Sequence, residues 1–201
     1  MSLFKSFNAT SKGSGDISSS TSLKSSVQRS IRAKLLAQYP TTLGADGGVL
    51  LEAIWPKKED VTLVKFAREH VQFIVRQGRP IFWQHFEGSF FPTLRLVHQY
   101  PNLLPTIRVD RGAIRFLLSG ANIMAPGLVS AGGRLPDSSE ALPKDAPVVV
   151  LAQGKEHALA IGRLKLGTEE IKAQGKGVVV DNLHSLGDDL WMAEARGAFG
   201  A

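Results

Sequence analysis

The chain has 201 residues, of which 43% are apolar and 21% are charged, which is enough to build one large or two small hydrophobic cores and argues against a fibrous or disordered protein. It contains no cysteine, which excludes disulfides, cysteine-ligated metals and thiol nucleophiles and fits a reducing compartment. The longest strongly apolar run, residues 146–152, is far shorter than the roughly 20 residues that span a bilayer. The net charge of +6 favours acidic partners, nucleic acid first among them.

The first segment is rich in hydroxyl side chains. Twelve of the first 26 residues are Ser or Thr, with a Ser/Gly-rich stretch near residues 10–22. Such a composition buries little apolar surface, so we expect a mobile lead-in there. The basic early sequence is also compatible with an organelle targeting peptide, although Leu3, Phe4 and Phe7 are equally suited to packing on the domain.

A helix is predicted next, because apolar residues recur at every fourth position: Leu23, Val27, Ile31 and Leu35. We expect Thr21 or Ser22 to cap this helix and Pro40 to end it. The opposite face is predicted to be basic and exposed: Lys24, Arg29, Arg32 and Lys34.

The rest of the N-terminal half predicts a helix and a small sheet. Residues 49–55 read as a short buried helix that Pro56 ends. Three apolar runs separated by polar turns predict an antiparallel meander: residues 61–66, 71–75 and 81–84. Residues 91–101 enclose a two-turn helix between prolines, and we place a domain boundary near residue 92.

The second half predicts a compact barrel of short strands. Residues 106–109 read as a strand, and Asp110 is suited to cap a helical turn over residues 111–118 that ends at Gly120. A brief helix is predicted at residues 168–172. Four further extended segments are predicted: residues 121–129, 146–152, 157–166 and 177–184. The predicted fold class is therefore α+β, with a small β-barrel following an α+β domain.

Positive charge is concentrated at the start of the second half. Residues 92–134 contain a single acid, Asp110, and five arginines: Arg95, Arg108, Arg111, Arg115 and Arg134. Arginine is suited to bidentate phosphate contacts and to stacking, which favours a nucleic-acid surface. A solvated face with ordinary ion pairs explains the same count, and the alternatives stay open at this point.

The sequence VDRGAIRFLLSGANIMAPG at residues 109–127 resembles the opening of a PUA domain, an RNA-binding module. Further motifs lie around it in the same order as in one family: WPKK at 55–58, GSFFPTLRL at 88–96, YP at 100–101, GKEHA at 154–158 and DLW at 189–191. Together they resemble the malignant-T-cell-amplified-sequence (MCT) family of translation factors, over about residues 23–191.

This resemblance implies a cytoplasmic, non-enzymatic factor that uses no cofactor. It implies a density-regulated-protein partner and binding to the small ribosomal subunit, with roles in reinitiation, in tRNA recycling and in non-canonical initiation. It also implies that the PUA domain faces the acceptor end of the tRNA. The corresponding domain limits are residues 1–91 for the pre-PUA domain, 92–191 for the PUA domain and 192–201 for a tail.

Arg111 and Arg115 are four residues apart on one predicted helical face, near a helix N-terminus that attracts phosphate. The predicted RNA-binding residues are Arg108, Arg111, Gly112, Arg115, Gly120, Ala121, Asn122 and Arg134. The glycines permit close backbone approach while also serving as a cap and a turn, and Ala121 and Asn122 offer strand amides and a side-chain amide. We expect four neighbouring apolar residues to be core: Ile114, Phe116, Leu117 and Met124.

Because Phe116 and Trp191 are expected to be buried, few aromatic rings remain for base stacking, and recognition of backbone and terminus shape is favoured over sequence reading. A second set of cations is predicted to contact the ribosome: Lys57, Lys58, Arg29 and Arg32. Solvated lysines on a turn explain Lys57 and Lys58 equally well.

The alternative function is an RNA-modification enzyme or its accessory subunit, which would use a PUA domain to bind structured RNA. Gly133-Arg134-Leu135 is similar to a pseudouridine synthase signature, but Pro136 displaces the following aspartate. The five histidines show no metal-ligand spacing, and no catalytic set of residues emerges. A general RNA-binding adaptor outside translation is a third possibility.

Overall fold

The computed structural model describes Phe4, residues 17–66 and residues 70–199. The described chain divides into two compact units. The N-terminal unit contains residues 17–93, apart from three that are not described, together with residues 193–199. The C-terminal unit contains residues 94–192 and Phe4.

The N-terminal unit is built on an antiparallel sheet in which every strand pairs with the next one along the chain. Its elements are β1 (Ile17–Ser22), α1 (Ser25–Gln38), α2 (Val49–Ile54), β2 (Val61–Phe66), β3 (Val71–Arg76), β4 (Arg79–His85) and β5 (Phe90–Pro92). The predicted meander and the short helix before Pro56 are confirmed. Large side chains such as Phe73, Phe82 and Trp83 are fully buried in the core of the unit.

The prediction of a mobile lead-in is wrong for residues 17–22, which form strand β1. The strand pairs antiparallel with β2, so that Ser20 lies opposite Val64. Its side chains are mostly exposed, and backbone hydrogen bonds to β2 supply the order that its composition does not indicate. The remainder of the Ser/Gly-rich stretch, residues 10–16, lies outside the described residues.

Helix α1 ends as predicted, at Tyr39, and Leu35 is buried as predicted, but the helix begins later and its buried face also includes polar side chains. Its N-cap is Lys24, whose side chain makes no capping bond, because Thr21 and Ser22 belong to β1. Its buried residues are Gln28, Arg32 and Leu35, whereas Val27 is 42% exposed. Both buried polar side chains have partners: Gln28 Nε2 donates to the carbonyl oxygen of Leu23 at 2.9 Å, and Arg32 pairs with Glu52 on α2.

The C-terminal unit consists of a curled sheet, shaped like half a barrel, with short helices around it. Its elements are α3 (Leu94–Gln99), β6 (Thr106–Val109), α4 (Ile114–Leu118), β7 (Ile123–Met124), α5 (Ala125–Val129), β8 (Pro147–Ala152), β9 (Ala160–Leu164), α6 (Thr168–Gln174), β10 (Val178–Ser185) and the first four residues of α7 (Asp189–Ala195). The strand order is β6-β8-β9-β10-β7, with β6 and β8 parallel and the other pairs antiparallel. The predicted α+β class is confirmed.

Two details of this unit differ from the sequence prediction. Only Ile123–Met124 of residues 121–129 is a strand, and a helix follows because Pro126 fits the first turn of α5. Leu117 is core and Ile114 packs against it, but Phe116 is 53% and Met124 is 54% exposed. The spacing within a five-residue helix did not indicate which of its sides meets the sheet.

Helix α4 is held at both ends by polar contacts. At its start, one carboxylate oxygen of Asp110 accepts a hydrogen bond from the backbone N–H of Ala113 at 2.9 Å, as predicted. Gly120 ends it with a left-handed φ of 83°, also as predicted. Beyond the end, the buried side chain of Asn182 on β10 donates to the carbonyl oxygens of Leu117 and Ala121, at 2.9 and 3.1 Å.

Among the described residues, no helix combines the length and the apolar character that a bilayer crossing requires.

We expect Asn182→Ala to lower the free energy of unfolding by about 1–3 kcal/mol, because two carbonyls at the end of α4 are left without their buried donor. Urea unfolding followed by circular dichroism measures this change. Asn102→Ala, at an exposed position, is the control and should leave the unfolding midpoint unchanged. Equal midpoints for the two variants would show that the Asn182 clamp contributes nothing to stability.

Candidate nucleic-acid interface

The predicted RNA-binding arginines lie where strand β6 leads into helix α4. Arg108 is on β6, Arg111 lies in a short 3₁₀ turn at Arg111–Ala113, and Arg115 is on α4. Arg111 and Arg115 are both exposed, and Arg108 is half-buried. Continuous helical backbone through residues 111–118 places Arg111 and Arg115 on neighbouring turns of one face, as their spacing predicted.

Arg134 joins this group through the backbone. Arg108 and Arg134 form an isolated antiparallel bridge, in which each backbone N–H donates to the other carbonyl oxygen at 2.8 Å. Residues directly opposite each other in such a pair project their side chains from the same face. Two arginines that are 26 positions apart in the sequence are thus brought side by side, and Arg134 is exposed.

Arg111 lies against the loop that follows β8. A Cβ atom added to Gly154 would be 3.1 Å from Nη2 of Arg111, and Gly154 has a φ of +71°. A side chain at this position would therefore crowd the guanidinium as well as strain the backbone. The next residue, Lys155, is exposed and adds a cation that we did not predict. No local pattern indicates this neighbour, because the contact joins two segments that are distant in the sequence.

The one acid of this stretch is engaged within the protein. Asp110 Oδ1 accepts from Ala113 N, and its Oδ2 accepts from Ser130 Oγ, both at 2.9 Å. The helix N-terminus that we expected to attract phosphate is therefore already occupied by a carboxylate, which corrects that expectation. Within the described part of the chain, no carboxylate forms an ion pair with Arg108, Arg111, Arg115 or Arg134.

Phe116 adds an exposed aromatic ring to the cationic surface. Cζ of Arg115 lies 4.6 Å from the centre of the Phe116 ring, within cation–π range. The expectation that Phe116 is core, and that stacking surfaces are therefore scarce, is wrong. More apolar surface is exposed at the sheet edge in the same unit, where Met124 lies opposite Val178, which is 43% exposed.

The small residues predicted at this site serve the local structure. A Cβ atom added to Gly112 would be 3.3 Å from Oδ1 of Asp110, so glycine leaves room for the cap. The carbonyl oxygen of Ala121 accepts from Asn182, and the side-chain oxygen of Asn122 accepts from the backbone N–H of Asn182 at 3.0 Å. The Asn122 amide nitrogen lies 3.5 Å from Asp181 Oδ1. Asn122 therefore ties α4 to β10.

The cations predicted in the N-terminal unit divide by burial. Lys57, Lys58 and Arg29 are exposed, the two lysines on a turn as predicted. Arg32 is only 8% exposed, which corrects its placement on a solvent-facing basic surface. Its guanidinium pairs with Glu52 at 2.6 Å, donates to the carbonyl oxygen of Trp55, and lies 5.7 Å from the Trp55 ring centre.

Glu52 connects Arg32 to the turn that carries Lys57 and Lys58, which we call the lysine turn. Its Oε1 accepts from the backbone N–H of Lys57 at 2.9 Å. That hydrogen bond lowers the pKa of Glu52; partial burial opposes the shift, and the charge of Arg32 adds to it. The carboxylate is therefore ionised at neutral pH, and the Arg32–Glu52 pair is neutral as a unit.

Comparisons with known proteins agree with this architecture. The family model described as Pre-PUA-like domain matches residues 11–101, and the one described as elF2D, PUA domain matches residues 104–189. A solved structure of a hypothetical protein from Pyrococcus horikoshii is 22% identical, with a TM-score of 0.67 over 88% of this chain and 99% of that one. At that identity the likeness shows the fold alone.

Relatives with higher identity indicate the family. Translation machinery-associated protein 20 of Schizosaccharomyces pombe is 46% identical over 189 residues, which cover 94% of this chain and 97% of that protein. Malignant T-cell-amplified sequence 1 of Rattus norvegicus is 42% identical over 176 residues, covering 88% of this chain and 91% of that protein. The chain therefore belongs to the family of translation machinery-associated protein 20 and malignant T-cell-amplified sequence 1, with a pre-PUA domain followed by a PUA domain.

Proposed function

We propose that this protein is a non-enzymatic, RNA-binding translation factor that acts on the small ribosomal subunit together with a density-regulated-protein homologue. The observation that carries the proposal is the surface formed by Arg111, Arg115, Arg134 and Phe116, which is cationic, exposed and without carboxylate partners among the described residues. Relatives named for the translation machinery direct the proposal to ribosomal RNA and tRNA.

The surface supports two kinds of RNA contact. Arg108, Arg111 and Arg134 are suited to phosphates, because guanidinium groups bind them bidentately. Phe116, with Arg115 over its ring, is suited to stack on an unpaired base. A single-stranded terminus offers both a backbone and a free base, so the acceptor end of a tRNA is the proposed ligand.

The wider role that the resemblance implies is also part of the proposal. It comprises reinitiation, removal of deacylated tRNA during recycling and non-canonical delivery of initiator tRNA, in the cytoplasm. The proposed domain limits are residues 1–91, 92–191 and 192–201. Lys58 is exposed on its turn and is kept as a proposed ribosome contact.

Charge reversal tests the phosphate contacts. Arg111→Glu should weaken binding to deacylated tRNA and reduce the salt dependence, by roughly 0.7–0.9 in the slope of log K against log salt for each phosphate that the variant no longer neutralises. Fluorescence anisotropy across a salt series measures this slope. Lys144→Glu is the control with the same charge change. Lys144 is exposed and precedes the start of β8, whereas Arg111 lies beside the loop that follows the end of β8. A tRNA affinity for Arg111→Glu equal to that of the unmodified protein, with an intact melting curve, removes Arg111 from the interface.

Truncation of the exposed ring tests the stacking contact. We expect Phe116→Ala to weaken binding of tRNA ending in an unpaired 3′ strand by about 1–3 kcal/mol, and to leave the salt slope unchanged because no charge is removed. The control is Phe86→Ala, at a ring that is 57% exposed in the N-terminal unit. If removing the unpaired 3′ nucleotides from the tRNA leaves the effect of Phe116→Ala as large as before, the ring does not stack on the terminus.

Affinity purification tests the proposed assembly. The tagged 201-residue chain should recover small-subunit proteins and a density-regulated-protein homologue from lysate, at both low and moderate salt. The matched sample is Arg111→Glu, which should keep the protein partner while failing to recover tRNA. Recovery of assorted RNAs with neither small subunits nor that homologue would support a general RNA-binding adaptor instead.

A further inference from the structure

A groove in the N-terminal unit, which shares no residue with the arginine surface of α4, has a chemistry that does not suit RNA. It lies between α1 and the start of α2, is closed by the lysine turn, and has a volume of about 580 Å³. Residues of α1 and α2 line it together with Gly47, Gly48 and Lys57. The volume is in the range of sites that receive several side chains or a small ligand.

The groove carries a surplus of positive charge. Its ionisable lining residues are three cations, Arg29, Arg32 and Lys57, and one carboxylate, Glu52, which leaves a surplus of two positive charges. Arg32 and Glu52 neutralise each other in their 2.6 Å pair, so the surplus belongs to Arg29 and Lys57. Both are exposed, and neither side chain has an ion-pair partner within the described residues.

The start of α1 adds to this positive field. Ser25 and Gln28 of its first turn line the groove, and that turn contains no acidic residue. The N-terminus of this 14-residue helix has no side-chain cap, so its partial positive charge is not compensated from within the helix.

Part of the groove lining is aliphatic. Ala33 and Leu36 of α1 and Val49 of α2 contribute this part, beside the buried side chains of Gln28 and Arg32. Val49 is 65% exposed, the largest exposure among the described bulky apolar residues. An exposed apolar surface with a charged rim is typical of a protein-binding groove.

We infer that this groove binds an amphipathic, acid-rich helical segment of a partner protein. Apolar side chains of the segment pack on Ala33, Leu36 and Val49, and its carboxylates lie near Arg29 and Lys57. RNA fits less well, because the lining contains no aromatic ring on which a base can stack and presents aliphatic side chains instead. The inference rests on the N-terminal unit alone and goes beyond the proposed function.

An NMR titration of the full-length protein tests the inference. The probe is a designed helix of about 18 residues, roughly five turns, with leucines on one face and glutamates on the other. The chemical shifts of the backbone amides of Ala33, Leu36 and Val49 should change as the peptide is added up to about 1 mM. At this concentration even weak binding is detected. The same peptide with lysines in place of the glutamates should leave these resonances unchanged, because like charges meet at the rim.

Charge variants make the test specific to the groove. Arg29→Glu combined with Lys57→Glu should weaken binding of the acidic peptide about tenfold. Lys58→Glu, on the same turn but outside the lining, should leave binding of the peptide unchanged. The double variant is expected to fold, because Glu52 accepts from the Lys57 backbone and not from its side chain.

Three outcomes would overturn the inference. One is an acidic peptide that shifts no groove resonance, and another is a Lys58→Glu effect as large as that of the double variant. The third is an oligouridylate that shifts the same resonances at a lower concentration than the peptide does, which would assign the groove to RNA. None of these readings depends on tRNA binding at Arg111, so failure here is distinguishable from failure of the proposed function.

Discussion

The candidate RNA surface depends on how helix α4 is held. The helix has only five residues, Ile114–Leu118, which is too short for stability in isolation. Asp110 satisfies a backbone N–H before it, and Asn182 satisfies two carbonyls at and beyond its end. With Leu117 fixed in the core between these two contacts, Arg115 and Phe116 are left facing solvent. The position of the exposed ring is thus a consequence of buried polar contacts.

Arginine is buried and paired at one position of the N-terminal unit but exposed in the C-terminal unit, and its surroundings determine which role it has. Arg32 is buried, so it requires the carboxylate of Glu52 and the carbonyl of Trp55 to offset its desolvation. Arg111 and Arg134 stay in water, which solvates them without a partner. Asp110, the one acid of residues 92–134, is engaged by Ala113 and Ser130, and this leaves the guanidinium groups available to a ligand.

Much of this fold could be predicted from the sequence, because apolar runs bounded by turns report directly on buried strands. The meander of β2–β4 and the strands β6, β8 and β10 were found in this way. Strand β1 was missed because backbone pairing orders it while its serines stay exposed. Phe116 was misplaced because the sequence of a five-residue helix does not show which of its sides meets the sheet. Arg32 was misplaced because the sequence does not show that a charged side chain has a buried partner.

Within the site, the arginines could be predicted and their arrangement could not. Arg111 and Arg115 are related by local helical spacing, which the sequence contains. The bridge between Arg108 and Arg134, and the approach of Arg111 to Gly154, are contacts between distant segments that only the folded sheet creates. Lys155 was overlooked for the same reason.

The net charge of +6 does not distinguish the two kinds of ligand proposed for this protein, because both are acidic. The groups that surround the cations do distinguish these two kinds of ligand. Around α4 the cations lie beside an exposed aromatic ring that can receive a base, and the nearby carboxylate is turned inward to Ala113 and Ser130. In the groove between α1 and α2 they border aliphatic side chains, and the lining contains no aromatic ring. Phosphate binding releases condensed counterions and is therefore steeply salt-dependent, whereas apolar packing is not. A ligand held by the groove should accordingly show a smaller decrease in affinity with rising salt than one held by Arg111 and Arg115.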